Sequence, residues 1–357
     1  MCESKGILLK IRMCIKMVVT ALMVKELRQK TGAGMLDCKK ALVETDGNID
    51  KAIAFLREKG MASAAKKADR IAAEGLIEIH VNGNFATIIE INSETDFVAK
   101  NEKFVNLVKE TAALIGKNKP ANIDEALILQ TTAGKNLVET FVEATAVIGE
   151  KIELRRFVII DKADQEVFGA YKHAGNRIAV VTVLDNGSEK IAKDIAMHIA
   201  AMKPTVLAYT DLDSKFIEEE VVALRARIEI ENEDRKRTGK TLKRIPEYAS
   251  KLQLTDAVMD DVKVRLETEL KAQGKPEQIW DKIIPGQLEK FIKDNTEVDQ
   301  TYALLSQSYI LDEGKTVEKY LSSISATIKK FIRIEVGEGI EKKEVDFAEE
   351  VMSQVRG

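Results

Sequence analysis

Residues 75–91 read GLIEIHVNGNFATIIEI. Apolar and polar side chains alternate on both sides of Asn82-Gly83-Asn84, and a period of two broken by an Asn-Gly turn predicts a β-hairpin. A helical pattern through Phe104, Leu107, Val108 and Leu114 follows, giving a helix over about residues 99–115. The same order then returns. Residues 168–173, a turn at Ala174-Gly175-Asn176, the apolar run 177–184 and a helix over 189–202 restate hairpin plus helix. Gly83 matches Gly175 and Ile88 matches Val180. The two copies differ where the second strand meets the helix. The later copy has plain turn chemistry, Asp185-Asn186-Gly187-Ser188; the earlier one has Ser93-Glu94-Thr95-Asp96-Phe97. One reading makes Thr95 or Asp96 a helix cap with Phe97 packed back on the first turn. The other makes Phe97 a side chain displayed to a partner, and the missing counterpart in the second copy favours it.

Upstream, residues 19–30, 35–45 and 50–59 carry short helical patterns, separated by Thr31-Gly32-Ala33-Gly34 and Asp46-Gly47-Asn48. Three helices in so short a stretch form a small bundle, marginal alone and suited to docking. Residues 61–73 read as an alanine-rich helical connector. Between the copies, 122–130 and 133–147 read as helices and 152–160 as a strand. Residues 213–295 differ in kind. Val258, Val262, Leu266 and Leu270 recur every fourth position amid mixed charge, and 216–230 is similarly amphipathic, which predicts a helical hairpin or coiled-coil-like protrusion. Helical stretches follow Pro285-Gly286, then a strand at Phe331-Ile-Arg-Ile-Glu-Val that would close the second sheet, and a last helix over 344–354.

The chain has 357 residues, 45% hydrophobic and 32% charged, with a formal charge of −3. That length allows two or three domains, and that balance argues against a dedicated nucleic-acid binder, since nothing compels phosphate neutralisation. Cys2, Cys14 and Cys38 make no disulfide or metal framework, so a reducing cytoplasm is expected. No run approaches a membrane span. The opening 24 residues are interrupted by Lys5, Lys10, Arg12 and Lys16 and lack a cleavage site, which argues against a signal peptide. Met17 is an alternative start, leaving 1–16 as an extension of doubtful reality.

Catalytic chemistry is hard to build here. The only histidines are His80, His173 and His198, without metal-ligand spacing, and His198 lies on an apolar helix face with Ile195 and Ile199. Neither phosphate-binding glycine motif occurs, so direct nucleotide binding is not expected. Asp96 with Glu94 is a carboxylate pair common at helix starts, and adding His173 yields no nucleophile–base spacing for a hydrolase. Arg155-Arg156 and Arg235-Lys236-Arg237 read as solvated faces. No cofactor or metal is implied, and the chain is not expected to be an enzyme.

Four segments carry a resemblance. KELRQKTGAGMLDCKKAL (25–42), TDFVAKN (95–101), IAMHIAAMKP (195–204) and FIRIEVGEGIEK (331–342) resemble, in order, the signatures of the bacterial elongation factor Ts family. The resemblance implies an α+β fold: an N-terminal three-helix ubiquitin-associated-like module, a duplicated core with two small antiparallel sheets and packed helices, a helical coiled-coil insertion and a C-terminal helical module. On this chain those would be 17–60, a connector at 61–73, core subdomain 1 at 74–165, core subdomain 2 at 166–212 with 296–340, the insertion at 213–295 and the last module at 341–357. It implies guanine nucleotide exchange on elongation factor Tu in the cytoplasm. By position, Thr95, Asp96, Phe97 and Val98 would enter the partner's nucleotide domain near the magnesium region. Ile148 and His173 would contact it from the core, and Lys25, Arg28, Met35 and Leu36 would dock the N-terminal module. For Met35 the competing expectation is core burial. Some relatives carry Met where this chain has Leu36, and the insertion is longer than expected, which leaves that arm's contacts open, as is a homodimer. The alternative is a ubiquitin-associated-type binding scaffold without exchange activity, which leaves the duplicated core unexplained.

Overall fold

A computed structural model describes residues 19–341; residues 1–16, the Met17 start and the last helix at 344–354 lie outside that range. The described chain forms two units: residues 19–82, 87–159 and 335–341 make the first, and 83–86 with 160–334 the second.

The first unit opens with α1 (Ala21–Thr31), α2 (Met35–Glu44) and α3 (Ile49–Ala65). Thr20 and Asn48 cap α1 and α3 with their side chains, and α1 stops at Gly32, φ 66°. Val24, Leu27, Cys38, Ala41, Leu42 and Ala52 form their shared core. Leu22 and Leu36, apolar positions of the helical patterns, point instead to solvent. After the connector come β1 (Glu74–Asn82), β2 (Phe85–Ser93), α4 (Glu102–Asn118), α5 (Ile123–Leu127), α6 (Leu137–Ile148) and β3 (Glu153–Asp161). The sheet order is β1-β2-β3. Ile89, Ile91, Leu154 and Ile152 meet Phe104, Val108, Ala112 and Ile115 of α4 and Phe141 of α6 in one core. α4 begins later than the pattern predicted because Asn101, not Thr95 or Asp96, supplies the cap, accepting the Lys103 N–H at 2.9 Å.

Arg155 and Arg156 do not lie on a solvated face. They flank Glu90, fully buried in β2, at 2.9 and 2.6 Å. The same carboxylate accepts the Gly337 N–H at 2.8 Å, and Arg156 also reaches the Glu335 carbonyl at 2.9 Å. A buried carboxylate is tolerable only with such company.

The second unit repeats the plan with β4 (Val167–His173), β5 (Ile178–Asp185) and α7 (Glu189–Met202). β4 and β5 pair in antiparallel register from Val167↔Leu184 to His173↔Ile178. Gly169 lies against the helix: a Cβ there would overlap the Ala192 carbonyl, whose oxygen accepts the Thr182 hydroxyl at 2.9 Å. α8 (Ser214–Arg237), α9 (Asp256–Ala272), α10 (Trp280–Asp294) and α11 (Glu297–Tyr302) follow. α8 buries Ile217, Val221, Leu224 and Ile228 against Ala249 and Val298, while α9 packs along α10. The helix pair is therefore α9 with α10 rather than α8 with the later amphipathic segment. Pro285, read as a break, lies inside α10, in the second turn. There it removes the N–H that would reach the Asp281 carbonyl, and the helix continues through it. The strands β6 (Ser308–Tyr309) and β7 (Asp312–Thr316), α12 (Val317–Ser323) and β8 (Thr327–Glu335) complete the unit, and β8 joins β5 to give the order β4-β5-β8. The chain is α+β, with two small three-stranded sheets and packed helices.

Candidate functional site: a braced aromatic tip

The residues between β2 and α4 bow away from the first core and return. Val98 starts a 3-10 turn (Val98–Lys100) and is buried beside Phe104. Phe97, one residue earlier, has 77% of its surface exposed. It neither staples onto α4 nor joins the core. Asp96 is also exposed and lies 3.7 Å from Lys100, whose ammonium stands 5.9 Å from the Phe97 ring centroid. So exposed an ion pair contributes little. It keeps Lys100 beside the ring and leaves the ring's other surfaces open.

The base of the bow is fixed by groups far away in sequence. The Glu150 carboxylate accepts the Thr95 N–H at 2.8 Å and the Thr95 hydroxyl at 2.6 Å. Glu94 in turn accepts the Lys151 N–H at 2.7 Å and lies 3.2 Å from Arg70. Glu150 reaches this place because α6 stops at Gly149, whose φ of 92° turns the chain out of the helix. Glu94 with Asp96 is therefore no acid–base dyad, since Glu94 is spent on backbone and guanidinium donors.

Other sequence-derived candidates take different places. Lys25, Arg28, Met35 and Leu36 all face solvent, Met35 with 61% and Leu36 with 73% of their surface open, which overturns core burial for Met35. Ile148, half-buried, ends α6 in a crevice shared with Thr31, Gly32, Lys103, Leu107 and Val147. A larger cavity of about 250 Å³ lies beside the contact of α3 with α6, walled by Gly34, Gly60 and Ala146. Arg57 pairs with Glu139 in this region, and Lys67 donates to the Gly149 carbonyl at 2.7 Å. Thr95–Val98 and Ile148 thus belong to the first unit. His173 belongs to the second, exposed at the end of β4 and hydrogen-bonded to the Tyr171 hydroxyl at 3.0 Å.

His198 is buried, as its apolar helix face predicted. Its Nδ1 accepts the Ile310 N–H at 3.3 Å, which leaves Nε2–H to donate to Gln307 Oε1 at 3.0 Å. Burial pushes its pKa below the usual 6.5, against a smaller upward pull from Gln307. Among the described residues no group of three or more His, Cys, Asp or Glu is arranged to hold a metal, and no helix is long and apolar enough to cross a membrane. Sequence reading missed Glu150, Arg70 and the ring of donors around Glu90. Their partners lie 24 to 247 positions away, where no local period reaches.

Comparison with known proteins bears on the same residues. A family model described as "Elongation factor TS" matches residues 94–338, beginning at the braced tip. The curated Elongation factor Ts of Streptococcus pyogenes serotype M1 is 57% identical over 333 residues, covering 93% of this chain and 96% of that protein. Those of S. pyogenes serotype M49 and Streptococcus agalactiae serotype V are each 56% identical over the same shares. With a match across most of the chain and relatives this similar along nearly all of it, the chain belongs to the elongation factor Ts family and is a factor of translation elongation.

Proposed function

We propose that this chain is a guanine nucleotide exchange factor for elongation factor Tu, working in the cytoplasm without catalytic chemistry of its own. The observation that carries the reading is the exposed Phe97 on a braced mount. A nucleotide held at nanomolar affinity contributes about −12 kcal/mol, so spontaneous release is slow. An exchange factor that binds the empty partner better than the loaded one weakens nucleotide binding by the same factor. Each ~1.4 kcal/mol of that difference realised in the dissociation transition state speeds release tenfold. A rigid aromatic entering between packed helices supplies it, because packed interiors switch between arrangements rather than deform smoothly.

In this reading Asp96 and Phe97 enter the partner near its magnesium and nucleotide site, with Thr95 and Val98 as the fixed ends. Lys25, Arg28, Met35 and Leu36 dock the N-terminal module, and Ile148 and His173 add contacts from the two halves of the core. Four solvent-facing side chains on one small module, two of them large and apolar, support a docking role. The test is release of fluorescent GDP from elongation factor Tu. The chain at micromolar concentration should accelerate it strongly, and an unchanged rate would leave only the binding scaffold.

A further inference from the structure

The tip does not hold itself in place. Between Thr95 and the buried Val98 the side chains of Asp96 and Phe97 are exposed, and the Phe97 carbonyl accepts the Lys100 N–H at 3.2 Å. Two side chains hold Thr95: the Ser93 hydroxyl donates to its carbonyl at 3.0 Å, and each oxygen of the Glu150 carboxylate takes one of its donors, at 2.8 and 2.6 Å. Glu94 answers from the opposite side by taking the Lys151 N–H, so the two carboxylates cross between segments 55 and 57 positions apart. Hydrogen bonds to an ionised acceptor are the strong kind. Two of them on adjacent donors of one residue fix its orientation as well as its place. Deleting Glu150 would leave Val98 buried and Phe97 exposed while leaving the Thr95 end with only the Ser93 hydroxyl to hold it. Phe97 would then be held only from the Val98 side, where its carbonyl accepts the Lys100 N–H, and the cost of ordering it would fall on the insertion step inside the docked complex.

We infer that Glu150 is a positioning residue for the Asp96-Phe97 tip, its carboxylate fixing the direction in which Phe97 projects. The inference rests on the exchange reading above and assigns Glu150 no contact with the partner.

The experiment measures fluorescent GDP release from elongation factor Tu against factor concentration, for wild type, Glu150→Ala, Glu150→Gln, Phe97→Ala and the double variant Glu150→Ala/Phe97→Ala. Melting of each variant is followed in parallel. Glu150→Ala should lower the maximal release rate about tenfold, the scale of losing charge-assisted bonds. Its half-saturating concentration should stay within about twofold, because no partner contact is removed. Glu150→Gln, which keeps an acceptor for the Thr95 N–H, should recover part of the rate, and it carries the test where the alanine variant fails to fold. In the Phe97→Ala background, removing Glu150 should cost less than about twofold, since nothing remains to aim. Full multiplication of the two losses overturns the inference. So does a wild-type maximal rate in both Glu150 variants while Phe97→Ala is slow. If Phe97→Ala alone exchanges like wild type, the exchange role of the tip fails first and the inference falls with it.

Discussion

The two halves of the core build the same hairpin and lay a helix on it, yet they join strand to helix differently. In the second half β5 ends at Asp185, Asn186 turns at φ 53°, and Ser188 caps α7 with its hydroxyl 3.3 Å from the Ile191 N–H. Asn186 serves the turn and Ser188 the cap, while Asp185 pairs with Lys329 at 3.5 Å. In the first half residues 94–101 do the same job, with Asn101 alone as cap, and the added chain carries an exposed aromatic on two anchors. One copy shows what the connection requires. What exceeds it in the other copy is Thr95 to Phe97 with Glu150 beneath.

The charge on the two sheets divides them further. In the repeat register that matches Ile88 to Val180, Glu90 corresponds to Thr182, a carboxylate among guanidiniums against a hydroxyl on a helix carbonyl. Glu90→Ala should therefore cost about 3–5 kcal/mol, because it removes the buried carboxylate shared by two half-buried arginines and leaves them only partners at Glu335 and Glu338, and calorimetry on the intact chain checks it. The next effect concerns the joints. Phe97→Ala should slow exchange about a hundredfold, the scale of a buried aromatic anchor at an interface. Its melting temperature should hardly move, because the ring is exposed in the free protein. Exchange equal to wild type would erase the difference between the joints.

A third contrast is steric. Gly169→Ala sets a Cβ against the Ala192 backbone and should destabilise by about 1–3 kcal/mol or more. Gly116→Ala, at the close approach in the first half, meets only the His80 and Thr87 side chains, at 2.9 and 3.0 Å, and should cost less. Thermal melts of the pair decide it. Acid then separates the halves. His198 has a folded-state pKa below its unfolded value, so its contribution is full above about pH 6.5 and is lost as pH falls through that value toward the folded one. Amide exchange followed from about pH 7 to pH 5 should show protection around α7 declining, and His198→Gln should flatten that dependence. The smallest effect belongs to Lys100→Ala, which should change exchange by less than about twofold, as expected for an exposed pair.

Much of this was legible locally. Alternation around Asn82-Gly83-Asn84 and Ala174-Gly175-Asn176 gave both hairpins, and Phe331–Val336 gave the closing strand, because such signals lie within a few residues of each other. Helix starts were less legible: Asn101 rather than Thr95 caps α4, since several residues in a row could have done so. Met35 and Leu36 begin a helix and read as apolar, yet their burial depends on which face α2 turns to α3. Arg155-Arg156 looked solvated because their partner stands 65 and 66 positions back in the middle of an apolar strand. The tip was noticed as an oddity of sequence; its brace was not, since Glu150 merely follows a helix-ending glycine.

Gly337 bears on the order in which the molecule is made. Its N–H completes the donors around Glu90 from 247 positions downstream. A nascent chain long enough to pair Glu90 with Arg155 and Arg156 must still wait for the whole second unit before this last donor emerges. Domains generally fold as they leave the ribosome, N-terminal first, and contacts across long loops form late. The first sheet thus completes the donors around its buried carboxylate only after the second unit has been made. Without Gly337 the Glu90 carboxylate would keep its two arginines and lose its backbone donor.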